Sequence, residues 1–137
     1  GRGGDRAWIA PVMEHLVARL AWDRFEPGRM PEIAALLDAM AARDARPGGH
    51  ALAEWSENLP LPERAYFETR FLRAADLIVT GRGARAARKM LNRSIVGVEP
   101  LTEAMLLKKF PALAGWLATS FRSAEGAAGA VPLPGSN

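Results

Sequence analysis

The stretch PERAYFETRFLRAADLIVT, residues 62–80, carries the strongest helical pattern in the chain. Its apolar residues recur at intervals of three and four, which places them on one face of an α-helix. Further apolar side chains widen this face on both sides. A face this wide predicts the central, most buried helix of a bundle. The stripe and its flanks consist of Phe67, Phe71, Ala74, Ala75 and Ile78, with Leu72, Val79, Tyr66 and Leu77 beside them.

Upstream, the same spacing predicts two amphipathic helices, over residues 8–25 and 31–45. A short helical turn over 50–57 and an extended link over 58–62 join them to the central helix, because a residue before proline avoids the helical conformation. Trp22 and Phe25 fall outside the first apolar stripe, and we expect both to be covered, since large aromatic side chains are mostly buried. The two predicted buried faces are Ile9, Met13, Leu16, Val17 and Leu20, and Ile33, Leu36, Leu37 and Met40.

Downstream, Gly81-Arg82-Gly83 interrupts the pattern, and a shorter helix is predicted to follow as far as residue 93. Residues 94–98 are expected to form a loop. Thr102 has the character of an N-cap, whose hydroxyl accepts a hydrogen bond from the first turn of the last helix. Pro111 should kink that helix or divide it in two. The last apolar stripe is Met105, Leu106, Phe110, Leu113, Leu117 and Phe121.

These elements predict an all-α fold, an irregular or orthogonal bundle of five to six helices. The chain has 137 residues, which is the size of one domain. We expect residues 1–122 to form a single helical domain and residues 123–137 to form a disordered tail. That tail is rich in Ala, Gly and Pro and has little to bury.

The composition excludes several classes of chemistry. The chain has no cysteine, which excludes disulfides, cysteine-bound zinc, iron–sulfur clusters and a thiol nucleophile. The two histidines, His15 and His50, lack metal-ligand spacing, and we expect each at the surface or in a cap. No apolar run approaches the 18 or more residues of a membrane span. We therefore expect no bound metal, no cofactor and a cytoplasmic location. The sequence also favours a protein without catalytic activity over an enzyme.

The net charge of +3 is concentrated in one segment. Residues 81–93 contain five cations and no acid, while the rest of the chain sums to −2. On a single helix, Arg82, Arg85, Lys89 and Arg93 would share one face about 16 Å long. Such a row of cations can follow the phosphates of a nucleic acid, bind an acidic protein surface or bind an anionic membrane surface. The candidate anion- or partner-binding residues are Arg82, Arg85, Arg88, Lys89, Arg93, Lys108 and Lys109.

Two other interpretations of this segment compete. The first, which the pattern favours over an anionic partner, is that the cations form the solvated face of an ordinary surface helix. Residues 76–93 also have the order of a helix-turn-helix, but the second helix offers only Arg, Lys and Asn92 to read bases. The pair Gly81 and Gly83 lacks both the preceding strand and the third glycine of a dinucleotide-binding loop.

Four tryptophans are many for a chain of this size. Most of them are expected in the core. Trp22 and Trp55 lie near the ends of their predicted elements, where either could anchor a protein partner, since tryptophan is enriched in binding hot spots.

The sequence thus favours a non-catalytic helical interaction module, an adaptor or accessory subunit that docks on another macromolecule. A protein is the favoured partner, and the basic helix is a candidate contact. The first alternative is a nucleic-acid-binding protein that contacts phosphates through residues 82–93. The second is a small helical enzyme without a recognisable motif.

Overall fold

The computed structural model of the protein describes residues 7–44 and 48–123, and this part of the chain is all-α. The prediction of a bundle of five to six helices is confirmed. The predicted tail lies outside the described residues, apart from Ser123. The helices are α1 (Ile9–Phe25), α2 (Arg29–Ala41), α3 (Leu61–Arg82), α4 (Ala84–Ile95), α5 (Glu103–Lys109) and α6 (Ala112–Ser120), with a 3₁₀ turn at Leu52–Glu54.

Helix α3 is the central helix, as its sequence pattern predicts. It packs against α1, α2, α4 and α6. All five residues of its predicted stripe, Phe67, Phe71, Ala74, Ala75 and Ile78, are completely buried. Helices α1, α4, α5 and α6 each add apolar side chains to the same core. The wide apolar face in the sequence of this helix therefore agrees with the several helices that pack around it.

The C-terminal end of the described chain closes over α3 through aromatic packing. The ring of Phe121 stacks on Phe67 with centroids 5.8 Å apart, and Trp116 meets Trp8 edge-on at 5.7 Å. The indole nitrogen of Trp116 donates a hydrogen bond to the Arg70 carbonyl at 2.9 Å. Beyond α6, the Arg122 amide donates to the His50 carbonyl at 2.7 Å. These contacts fix the last helix against the centre of the bundle.

Three predictions about the N-terminal helices are wrong. Val17, Phe25 and Leu36 were expected to be covered, and each is more than half exposed. Val17 lies about 100° around α1 from the buried Leu16, which is far enough to leave the face that meets α3. Met30, which is 8% exposed, is the only buried residue of helix α2. The outer sides of α1 and α2 therefore remain open to solvent.

The junction between α3 and α4 also differs from the prediction. Gly81 and Arg82 are helical, and only Gly83, with φ 91° and ψ 158°, separates the two helices. The expectations for the last helices are confirmed. Thr102 Oγ1 accepts a hydrogen bond from the Met105 amide at 3.1 Å, and the helix divides at Pro111 into α5 and α6.

Replacing Gly49 with alanine is expected to lower the free energy of unfolding more than the same change at Gly48. Both glycines have positive φ, 73° and 78°, which costs a residue with a side chain about 1–2 kcal/mol. Only at Gly49 would a Cβ also overlap the Tyr66 hydroxyl, which donates to the Ser120 carbonyl at 3.2 Å. Urea denaturation of the two variants measures the difference. Equal losses would show that Tyr66 yields without cost.

Candidate anion-binding cleft

The predicted basic residues do not all share one helix. Arg82 is the last residue of α3, and the break at Gly83 separates it from the cations of α4. The prediction of one continuous face from residue 82 to residue 93 is therefore wrong. Because Gly83 has a positive φ, the chain changes direction there. The fold nevertheless brings Arg82 back towards two of the cations of α4.

A cleft of about 480 Å³ collects four of the seven predicted cations, namely Arg82, Lys89, Arg93 and Lys109. It lies between α4 and the end of α5. Arg85, Arg88 and Lys108 are exposed and do not line it. Measured around the axis of α4 from Arg85, Lys89 lies about 40° away and Arg93 about 80° away in the same direction. Arg88 lies about 60° away in the opposite direction. The fold thus divides the basic helix into a cleft side and a solvent side.

One carboxylate lies among these cations. Glu99 Oε1 is 3.3 Å from Arg93 Nε and 3.6 Å from Lys109 Nζ. Lys89 makes no ion pair with any residue that the structure describes. With four cations and one carboxylate, the lining carries a charge of +3. Since these side chains are partly exposed, their ion pairs contribute little stability, and the excess positive charge is available to a ligand.

Apolar side chains form the deep side of the cleft. Met90 and Phe110 are almost fully buried and, with Ala86, contact the cavity from the core side. The Arg82 guanidinium lies 5.9 Å from the centre of the Phe110 ring, and its Nε donates to the Lys109 carbonyl at 3.1 Å. Its two terminal nitrogens have no hydrogen-bond partner among the described residues. The cleft therefore combines an apolar floor with a cationic rim.

An exposed aliphatic cluster follows the basic helix directly. The Val98 amide donates to the Arg93 carbonyl and the Gly97 amide to the Ser94 carbonyl, with Gly97 at φ 80°. This is the Schellman arrangement, in which the residue after the glycine usually packs on an apolar residue of the last turn. In this chain the residue at that place in the last turn is Arg93, which is charged. Val98 therefore lacks the apolar contact that a Schellman arrangement usually provides. Ile95, Val96 and Val98 are 78%, 70% and 58% exposed.

Sequence reasoning missed Glu99, the apolar floor and this aliphatic cluster. Gly97 is a signal that could have found the cluster, because a glycine just past a basic helix predicts the Schellman arrangement. Nothing local in the sequence predicts that Glu99 and Lys109 meet Arg93, since that contact depends on the path of the chain between α4 and α5.

The two candidate tryptophan anchors are both half-buried. Trp55 packs against the core, with ring centroids 5.2 Å from Phe71 and 5.5 Å from Phe67. Trp22 lies outside the core cluster, with the Arg29 guanidinium 5.7 Å from its ring centre. Of the two, only Trp55 packs on the core cluster, and the role of either residue as an anchor stays a prediction.

Both histidines make contacts within the fold. His50 was expected at the surface or in a cap, and it is instead buried, with Nδ1 2.8 Å from Glu54 and Nε2 2.6 Å from Asp44. His15 is partly buried on α1, with Nδ1 2.9 Å from the Pro11 carbonyl and Nε2 3.0 Å from Glu68 of α3. Each imidazole therefore joins segments of the bundle.

The contact between His15 and Glu68 shifts both groups away from their ordinary pKa values. Burial lowers the pKa of His15, but the hydrogen bond and charge of Glu68, with the Pro11 carbonyl and Glu14, outweigh it, and the pKa lies above 6.5. The hydrogen bond from His15, with help from Arg64, holds the pKa of Glu68 below 4.5 although burial opposes this. Both shifts favour the charged pair.

Replacing His15 with glutamine is expected to lower the free energy of unfolding by about 1 kcal/mol near pH 5.5. The raised pKa of His15 stabilises the fold fully below 6.5, and this contribution is lost as the pH rises through the folded-state value. The lowered pKa of Glu68 stabilises it above 4.5, and this is lost as the pH falls. The difference from the unsubstituted protein should therefore shrink both at pH 9 and at pH 3. Urea denaturation across this range measures it, with Glu57→Gln, at an exposed carboxylate that does not affect the pKa of His15 or Glu68, as the control.

The described part of the chain contains neither a metal-binding cluster nor a membrane-spanning helix. Within residues 7–44 and 48–123, no group of three or more His, Asp or Glu side chains is arranged to hold a metal ion. Over the same ranges, every helix is too short or too polar to cross a membrane. No protein-family model, curated protein or solved structure matches this chain.

Proposed function

We propose that this protein is a non-catalytic helical interaction module that docks on an acidic protein surface. The contact surface consists of the basic cleft, defined by Arg82, Lys89, Arg93 and Lys109, and the aliphatic cluster, defined by Ile95, Val96 and Val98. A single observation carries the proposal: the helix that supplies two cations to a cleft with a charge of +3 ends in three exposed aliphatic side chains that the fold leaves without a partner.

Charge complementarity supports an acidic partner. Opposite charges across an interface steer the encounter and fix the register of binding, whereas like charges reject other partners. The cations of the cleft belong to different helices, α3, α4 and α5, all packed on the core. They therefore form a largely preformed surface, and ordering it on binding costs less than ordering a flexible basic tail.

The aliphatic cluster favours a protein over a nucleic acid. A phosphate backbone is recognised through charge and hydrogen bonds, and it gains little from Ile95 or Val98. A protein surface that presents acidic and apolar side chains together can use both halves of this surface, because interfaces combine an apolar centre with a polar rim.

The test uses an amphipathic peptide of alternating Glu and Leu as the probe and measures its affinity by calorimetry in about 50 mM NaCl. We expect binding that weakens with salt and that falls about tenfold when Ile95 and Val98 are both replaced by serine. The matched control replaces Val17 with serine, which is also an exposed aliphatic residue but lies on α1.

Single-stranded DNA of the same charge serves as the competing probe. If the DNA binds more tightly than the peptide and the serine variants bind it unchanged, the protein is a nucleic-acid-binding module and the proposal is wrong. If neither probe binds at low salt, the cations are only a solvated face and the proposal is wrong as well.

A further inference from the structure

The basic cleft has both the concavity and the positive charge that a site for one small anion requires. Its four cations surround a volume of about 480 Å³, which lies within the range of about 300–1,000 Å³ typical of small-molecule sites. A flat row of solvated arginines has no such concavity. Any ligand that enters meets charge at the rim and apolar side chains at the floor.

Glu99 shows where an anionic group can bind. Its carboxylate lies between Arg93 and Lys109, at 3.3 Å and 3.6 Å from their nitrogens. It is the internal counter-ion of the cleft, and it is itself partly exposed rather than locked in the core. An incoming anion can exchange with it without unfolding any part of the bundle.

The charge of the cleft exceeds what one carboxylate can balance. With Glu99 in place the lining still carries +3. A phosphomonoester brings −1.5 to −2 at neutral pH and three acceptor oxygens, whereas a carboxylate brings −1 and two. Two of the four cations are arginines, whose planar guanidinium groups bind phosphate oxygens in pairs. The chemistry of the rim therefore favours a phosphoryl group.

The floor indicates what the phosphoryl group is attached to. Ala86 and the exposed edges of Met90 and Phe110, which are 5% and 4% exposed, line the cleft together with the methylene stems of the cations. Inorganic phosphate would leave this small apolar surface in contact with water. An ester of an aryl or other compact apolar group would bury it, at about 25 cal/mol for each Å² of apolar area removed from water.

We infer that the basic cleft binds a phosphomonoester of an aryl or compact apolar group, of the kind that a phosphorylated tyrosine side chain presents. This inference rests on the proposed function, since the phosphoryl group would belong to the acidic partner. It adds a defined chemical class to the ligand: the dianion exchanges with Glu99 at Arg93 and Lys109, while the apolar group lies on Ala86, the exposed edges of Met90 and Phe110 and the methylene stems of the cations.

The test titrates the protein with phenyl phosphate, and with inorganic phosphate and 3-phenylpropionate as partial ligands, and follows the backbone amides by NMR. Phenyl phosphate is expected to bind about tenfold more tightly than either partial ligand and to shift the amides of residues 86–93 and 99. Its affinity should fall below about pH 6, where the phosphomonoester gains a proton. Equal affinities for the three compounds would overturn the inference.

Four variants locate the binding. Arg93→Lys keeps the charge but removes the guanidinium, and it should weaken phenyl phosphate about five- to tenfold. Glu99→Gln removes the internal competitor and should strengthen binding about threefold. Arg88→Ala and Arg85→Ala, on the solvent side of α4, are the matched controls and should change affinity less than twofold. Weakening by the controls as large as that by Arg93→Lys would contradict a defined site.

The possible outcomes distinguish a failure of the phosphoryl inference from a failure of the proposed function. If the Glu–Leu peptide binds and phenyl phosphate does not, the cleft binds carboxylates rather than phosphoryl groups. The phosphoryl inference then fails, and the proposed function stands. If a peptide carrying phosphotyrosine binds no better than phenyl phosphate alone, the cleft is a site for a free phosphate ester, and its assignment to a protein partner fails.

Discussion

Replacing Phe71 with alanine is expected to lower the free energy of unfolding by about 3–5 kcal/mol. Phe71 is completely buried at the middle of α3, with Trp55 5.2 Å away edge-on and Phe121 6.0 Å away. Its removal leaves a cavity among rigid aromatic rings, which cannot collapse to fill it. The loss approaches the whole stability of a small domain, about 5–15 kcal/mol.

Phe25 provides a matched control for this prediction. It is the same residue type on another helix, and 72% of its side chain is exposed. Phe25→Ala should change the free energy of unfolding by less than about 0.5 kcal/mol, as surface substitutions usually do. Guanidinium denaturation followed by circular dichroism measures both variants. Similar losses at the two positions would show that α3 is not the centre of the core.

The comparison of these two phenylalanines shows what the sequence could and could not predict. Phe71 belongs to a stripe that repeats through α3, and this periodicity is a local property that the sequence displays directly. The exposure of Phe25 depends on which helices lie beside α1. Helix α2 packs mainly on α3 and leaves the outer side of α1 uncovered. No pattern within α1 contains that information.

The cleft illustrates the same limit at the level of function. The seven cations could be identified from the sequence, and four of them do line one cavity. The sequence did not predict which four, because Gly83 places Arg82 on a different helix from the others. It also did not predict that Glu99 lies between Arg93 and Lys109. His50 is a different case, since its partners Asp44 and Glu54 lie only six and four residues away and a local inspection could have paired them.

Replacing both Lys89 and Arg93 with glutamate is expected to have the largest effect on binding, a loss of about 100-fold or more for the Glu–Leu peptide. The double substitution changes the charge of the cleft lining from +3 to −1 and places two carboxylates beside Glu99. The introduced carboxylates would repel an acidic partner where it contacts the cleft, because like charges across an interface disfavour binding. The fold should survive, because both side chains lie at the surface of α4. Calorimetry measures the affinity, and a thermal melt checks the fold.

The matched control replaces Arg85 and Arg88 with glutamate on the same helix. Both double variants have the same net charge, so any difference between them reports position alone. Neither control residue lines the cleft, and this comparison is made in about 150 mM NaCl, where charges are screened over about 8 Å. We therefore expect the control pair to reduce peptide affinity about threefold or less. If the two double variants lose affinity equally, the partner contacts the whole basic helix rather than the cleft alone. That result would favour a nucleic acid that follows a row of cations, because phosphate contacts along such a row contribute similarly to binding.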